Sequence, residues 1–104
     1  MEKSFAERCY AVLLKVPKGK VTTYGEIARV LGSKGHRAVG NAMNKNPYSP
    51  KVPCHRVVKS NGEIGGFAFG IKNKIEILKT EGVDVVNGKV DLDRYLYKFW
   101  NYLV

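Results

Sequence analysis

The sequence contains no long hydrophobic run. No apolar stretch approaches the roughly 20 residues of a membrane-spanning helix. The first residues, MEKS, lead into a charged amphipathic segment that does not resemble a signal peptide. We therefore expect a cytoplasmic protein, associated with the nucleoid if the source is prokaryotic, and no membrane partner.

Acidic residues are also scarce. Nine Asp and Glu stand against eighteen Lys and Arg, which leaves a formal net charge of +9 on 104 residues. Such an excess favours a polyanionic partner through steering and counterion release, so nucleic acid is the first candidate. A basic protein without a nucleic-acid partner is the alternative, because net charge carries no specificity.

Only two cysteines are present, Cys9 and Cys54, and neither their number nor their spacing fits a disulfide framework or a zinc site. We expect no metal and no cofactor. Cys9 lies on the apolar stripe of an amphipathic pattern, where a cysteine usually serves as a small buried hydrophobic residue.

The length and the apolar content predict one domain over residues 1–104, mainly α-helical with small β-hairpins. The turn signals Asn61-Gly62 and Asn87-Gly88 predict two hairpins, the first of them a small wing within residues 55–70. Apolar spacing predicts three helices outside the central region, over residues 4–16, 71–80 and 92–103.

Two short helices joined by a glycine-containing turn indicate a helix-turn-helix. Thr23 and Glu26 fit a capping box, in which Thr23 caps a helix that ends at Gly32 and Glu26 reaches back to the cap. The next helix runs from Arg37 to about Lys45. Its small residues Ala38, Gly40 and Asn41 indicate either tight packing within the domain or a face that approaches nucleic acid.

The stretch VPCHR places Cys54 beside His55, after a segment at residues 47–53 that holds three of the four prolines and is therefore stiff. A thiol beside an imidazole suggests a nucleophile with its base, but neighbouring side chains of an extended chain point in opposite directions. Spacing alone leaves a nucleophile and a structural cysteine equally open. The acids that could orient His55 are Glu63, Glu76 and Glu81.

The combination of RAVGNAMNKNP, VPCHRVV and GEIGGFAFG resembles the C-terminal, DNA-binding catalytic domain of the O6-alkylguanine-DNA alkyltransferases, over about residues 4 to 82. The resemblance implies a winged helix-turn-helix-like fold, and we expect a monomer without the separate N-terminal domain that is usual in the family. It implies a methylated-DNA--protein-cysteine methyltransferase that acts once on O6-alkylguanine in double-stranded DNA, after flipping the nucleotide from the minor groove.

The resemblance also assigns the site. Cys54 matches the family's alkyl acceptor, His55 the residue that takes its proton through a water, Glu81 the acid that orients His55, and Asn46 the residue that braces the preceding turn. Arg37 matches the finger that enters the base stack, and Tyr24 the tyrosine beside the rotated phosphate. The remaining matches are to DNA contacts, at Ala38, Gly40, Asn41, Lys45 and Arg56, and to the substrate pocket, at Val57, Gly66, Phe67 and Ala68.

Two positions depart from the family pattern. Phe67 stands where a tyrosine hydroxyl usually faces guanine O6, and Phe69 replaces a pocket glycine, so assistance to the leaving group and pocket width are in question. The end of the chain, VDVVNGKVDLDRYLYKFW, resembles small alkyltransferase-like members that lack the cysteine, sense alkylated guanine and pass it to excision-repair proteins. Such a sensor is the alternative function, although the presence of Cys54 favours transfer. A sequence-specific regulator that binds the major groove is a third hypothesis, which the small-faced helix disfavours.

Overall fold

The computed structural model describes residues 4–32, 35–45, 51–67 and 70–99. The described chain is mostly helical with a small sheet, which confirms the predicted class. In chain order its elements are α1 (Phe5–Leu13), β1 (Thr22–Thr23), α2 (Tyr24–Val30), α3 (His36–Asn44), a 3₁₀ helix (Cys54–Arg56), β2 (Val57–Val58), α4 (Ile71–Thr80) and α5 (Leu92–Tyr95). None of the described helices has the length and apolarity needed to cross a bilayer.

Side-chain caps start the first two helices. Ser4 and Glu7 form a complete capping box at α1, because each side chain accepts a hydrogen bond from the other's backbone N–H. At α2 the Glu26 N–H donates to Thr23 Oγ1 over 3.0 Å. The predicted return bond from Glu26 was wrong, since its carboxylate accepts from the Arg29 guanidinium at 2.7 and 3.1 Å.

Helices α2 and α3 form the predicted helix-turn-helix, with α1 packed against both. Gly32 ends the first of them at a φ of +68°, which glycine adopts without strain. Helix α1 is shorter than predicted and gives way to a tight turn in which the Val16 N–H donates to the Leu13 carbonyl. Val16 is nevertheless buried, so the apolar pattern extends beyond the helix itself.

The two short strands lie between two clusters of core residues. Strand β2 pairs in parallel with β1, Val57 opposite Thr22 and Val58 opposite Thr23. Because successive side chains of a strand point to opposite faces, Val57 packs into the first cluster, with α1, α2 and α3, and Val58 into the second, with α4 and α5.

The predicted wing within residues 55–70 was only partly right. The turn at Asn61-Gly62 forms, with the Gly62 N–H donating to the Lys59 carbonyl over 2.8 Å. The segment after it does not return along β2, whose partner is β1. The Ile64 N–H instead donates to the carbonyl of Gly88, in the second predicted turn. That second turn is confirmed, with positive φ at both Asn87 and Gly88.

The predicted helix over residues 92–103 was wrong over residues 96–99. The backbone there is extended and pairs with Val21, whose carbonyl accepts from the Tyr97 N–H over 2.8 Å and whose N–H donates to the Tyr95 carbonyl over 2.9 Å. Phe99 is thereby buried in the first cluster. Long-range backbone pairing has overridden a helical pattern here, and residues 100–104 lie outside the described chain.

A buried hydroxyl joins α1 to α3, because Tyr10 donates to the Ala42 carbonyl over 2.7 Å. We predict that Tyr10→Phe lowers the free energy of unfolding by about 1–3 kcal/mol, since a buried acceptor loses a donor. Urea denaturation measures this. Tyr95→Phe is the matched control: its hydroxyl donates to the exposed carboxylate of Asp84, which water can solvate when the bond is lost, so the cost should be smaller. Equal losses in the two variants would contradict the assignment.

Candidate active site

Cys54 begins the 3₁₀ helix directly after Pro53. Its N–H donates to the Val52 carbonyl over 2.9 Å, and the Arg56 N–H donates to the Pro53 carbonyl over 3.0 Å. The cysteine is 7% exposed and packs in the first core cluster. Successive side chains of a 3₁₀ helix diverge by about 120°, less than in an extended strand, so Cys54 and His55 do not point in opposite directions.

Glu81, the cap residue at the end of α4, holds the imidazole of His55. The Nε2 atom of His55 lies 3.1 Å from both carboxylate oxygens of Glu81. A carboxylate only accepts hydrogen bonds, so Nε2 carries the proton and donates it. In the neutral ring Nδ1 is then an acceptor, which is the state that a general base requires. Of the three acids considered from spacing, Glu81 is the one beside His55.

Burial is the main influence on His55, which is 4% exposed. Burial lowers the pKa of the imidazole below its ordinary value, and the positive charges of Arg56 and Lys74 lower it further. The hydrogen bond and the charge of Glu81 act in the opposite direction without reversing the shift. His55 is therefore neutral at neutral pH and able to accept a proton.

Arg56 lies against the same carboxylate. Its Nε donates to Oε1 of Glu81 over 3.0 Å and its Nη2 to Oε2 over 2.7 Å, while Nη1 donates to the Val16 carbonyl over 2.8 Å. Burial alone would raise the pKa of Glu81, but the hydrogen bonds from Arg56 and His55 lower it below its ordinary value. Arg56 was expected to contact DNA, yet its side chain is 11% exposed and its nitrogens all donate within the protein.

Lys74 on α4 is a buried cation that the sequence did not indicate. It is 0% exposed, and its Nζ donates to the carbonyls of Ile64 and Gly66 over 2.6 and 3.1 Å. Burial lowers its pKa to about 8, a shift that a thiolate at Cys54 would oppose. The ammonium thus ties the glycine-rich loop after β2 to α4 and contributes positive charge near Cys54.

Tyr24, the first residue of α2, lies beside the glycine-rich loop and within electrostatic reach of Cys54. Burial raises the pKa of its phenol, and a thiolate at Cys54 would raise it further, so the hydroxyl remains a donor. The hydroxyl oxygen lies 3.7 Å from the position that a Cβ on Gly65 would occupy. Tyr24 also lines a cleft of about 300 Å³, together with His36, Arg37, Gly40, Lys59 and Ser60.

Helix α3 presents a small and basic outer face. Arg37, Ala38, Asn41 and Lys45 are exposed, whereas the residues between them that were expected in the core are buried: Val39, Ala42 and Met43. A Cβ added at Gly40 would meet no atom of the described residues within 4 Å, so their packing does not require this glycine.

The remaining expected site residues lie in different settings. Val57 is 0% exposed and packs in the core, so it does not line an open pocket as expected. Gly66 is exposed, and Phe67 is half-buried against the first cluster. Asn46, Ala68 and Phe69 lie outside the described residues.

The second cysteine does not belong to the site. Cys9 is 0% exposed in the first core cluster, and burial raises its pKa to about 11, so its thiol is protonated and inert at neutral pH. Within the described ranges, no group of three or more His, Cys, Asp and Glu side chains could hold a metal ion.

Sequence comparisons agree with this geometry. Residues 4–83 match the family model described as 6-O-methylguanine DNA methyltransferase, DNA binding domain. A methylated-DNA--protein-cysteine methyltransferase of Methanosarcina acetivorans is 46% identical over 79 residues, which cover 75% of this chain and 51% of that protein. The chain spans about half the length, or less, of the curated relatives it matches.

The solved structures that resemble this chain include one of about its own length and one about twice as long. Atl1 of S. pombe, in complex with damaged DNA containing O6-carboxymethylguanine, is 34% identical with a TM-score of 0.82, covering 94% of this chain and 99% of that one. The O6-methylguanine-DNA methyltransferase of Pyrococcus kodakaraensis is 45% identical with a TM-score of 0.71, covering 78% of this chain and 47% of that one.

Proposed function

This chain belongs to the family of O6-methylguanine DNA methyltransferase DNA-binding domains, and on that premise we propose that it repairs O6-alkylguanine in DNA by taking the alkyl group onto Cys54. The observation that carries the proposal is the arrangement of Cys54, His55 and Glu81. The cysteine begins a turn, the next residue is a neutral imidazole with Nδ1 able to accept, and a charged carboxylate holds that imidazole from the other side.

The reaction is a single displacement. His55 accepts the thiol proton, through a water as the family resemblance implies, and the Cys54 thiolate attacks the methyl carbon. The new S–C bond forms as the C–O6 bond breaks, and that electron pair remains on guanine. The proton held by the imidazole neutralises the guanine anion. No step returns the methylated cysteine to a thiol, so each chain reacts once.

DNA binding is proposed for the outer face of α3 and the cleft beside it. Ala38 and Gly40 allow close approach to a groove, and Arg37 lies at the edge of the cleft that Tyr24 also lines. Because the net charge is +9, binding should be sensitive to salt and largely independent of sequence. The damaged nucleotide would leave the stack toward Cys54, with Arg37 filling its place.

A second candidate function is damage sensing without transfer. Two observations favour it: the likeness to S. pombe Atl1 covers nearly the whole of both chains, and Phe67 has no hydroxyl to donate to guanine O6. In that case the same cleft would hold the damaged base while Cys54 stayed unmodified. The two functions differ in whether the cysteine is consumed.

We predict that incubation with duplex DNA containing O6-methylguanine replaces one hydrogen by one methyl group on the peptide that contains Cys54. Peptide mass spectrometry measures this. Cys54→Ala should remain unmodified while binding the same duplex, and Cys9→Ala, which removes the buried thiol, should be methylated like the parent. An unmodified Cys54 in a chain saturated with lesion DNA would support sensing and reject transfer.

We predict that Arg37→Ala weakens binding to lesion DNA by about tenfold, or about 1.4 kcal/mol, because the extruded base then leaves an unfilled gap. Fluorescence anisotropy at fixed salt measures the affinity. Arg29→Ala is the matched control, since Arg29 is an exposed arginine on α2 paired with Glu26. It removes the same charge and should have a much smaller effect. Equal losses in both variants would show that Arg37 contributes charge alone.

A further inference from the structure

The side chain of Arg56 is directed into the protein, where it cannot serve as a surface charge for DNA. Its guanidinium binds Glu81 through two parallel bonds, one to each carboxylate oxygen, which is the strongest and most directional arrangement available to an ion pair. Its third nitrogen donates to Val16, just beyond α1. Arg56 therefore joins the end of α1, the 3₁₀ helix and the end of α4 at one carboxylate.

We infer that Arg56 is a positioning residue for transfer: it fixes the Glu81 carboxylate against His55 and shares its negative charge, so that His55 remains a base able to accept the Cys54 proton. This inference rests on the proposed function and adds a residue to it. Arg56 acts through Glu81 and His55 and needs no contact with DNA.

The charges around His55 determine how the loss of Arg56 would change its protonation. The groups that act on the ring are the carboxylate of Glu81 at the end of α4, the guanidinium of Arg56 in its own turn, and the ammonium of Lys74 on α4. Without Arg56, the full negative charge of Glu81 would act on His55 alone. Burial and Lys74 would still oppose protonation of the ring, but the attraction to Glu81 would be stronger than in the parent. The proton on Nδ1 would therefore be retained to higher pH.

A lysine at position 56 would supply the positive charge but not the two-bond geometry of the guanidinium. An ammonium is a point charge, whereas the planar guanidinium matches both carboxylate oxygens at once and leaves a third nitrogen for Val16. Arg56→Lys therefore separates the two contributions of the arginine. Arg56→Met removes both of them while retaining an unbranched apolar side chain.

The first test is an NMR titration of the histidine rings, which needs no DNA. The chain has two histidines, and the exposed His36 serves as an internal reference. In Arg56→Met the protonation midpoint of His55 should rise by about one pH unit relative to the parent, because a nearby cation has been removed. In Arg56→Lys it should stay close to the parent value. An unchanged midpoint in folded Arg56→Met would overturn the inference.

The second test is the pH dependence of methyl transfer in single-turnover experiments. The acid limb should move to higher pH by about one unit in Arg56→Met, since His55 must lose its proton before it can accept another. A residue that only stabilised the fold would lower the rate without moving this limb.

Arg56→Lys decides the matter if Arg56→Met does not fold. It should keep the parent's acid limb but transfer about tenfold more slowly, because the carboxylate is no longer held at both oxygens. A parent-like rate would overturn the inference. Absence of transfer in the parent would instead reject the proposed function, and the NMR titration would still test Arg56.

Discussion

The carboxylate of Glu81 is the point on which the site depends. It accepts from His55 and from Arg56 at distances of 2.7 to 3.1 Å, and through Arg56 it is linked to the backbone beyond α1. Removing one partner of such a buried group leaves a charge without compensation. The loss of any one of the three residues should therefore destabilise the positions of the other two. The geometry of the proposed site and the packing of α4 against the 3₁₀ helix therefore depend on the same interactions.

The fold also fixes the backbone that carries Cys54. Strand β2 follows the 3₁₀ helix directly and sends Val57 into one core cluster and Val58 into the other, which anchors the short segment from both sides. Lys74 on α4 donates hydrogen bonds to the carbonyls of Ile64 and Gly66 and so holds the glycine-rich loop against α4. The proposed acceptor thus lies on backbone that is held by packing, a sheet and buried donors, which restricts its motion.

Helix positions followed from the sequence wherever caps and local spacing determined them, as at Thr23 and Gly32. The resemblance also supplied Glu81, which spacing left as one of three acids. Predictions failed where a distant partner decided the outcome. Residues 96–99 have a helical pattern, but Leu96 and Tyr97 pair with Val21 instead. Arg56 was expected to contact DNA, and nothing local in the sequence reveals its ion pair with Glu81. Lys74 was missed because a buried ammonium needs carbonyl acceptors that only the folded loop brings together.

The central claim is that Cys54 is the acceptor in a reaction that consumes the protein. The most direct measurement is a titration of the chain with an excess of DNA containing O6-methylguanine, in which the methyl groups lost from guanine are counted. The account predicts that loss stops when it equals the amount of active chain and that the rate before that point depends on pH through His55. Tight binding with no methyl loss, or loss continuing beyond one methyl per chain, would contradict it.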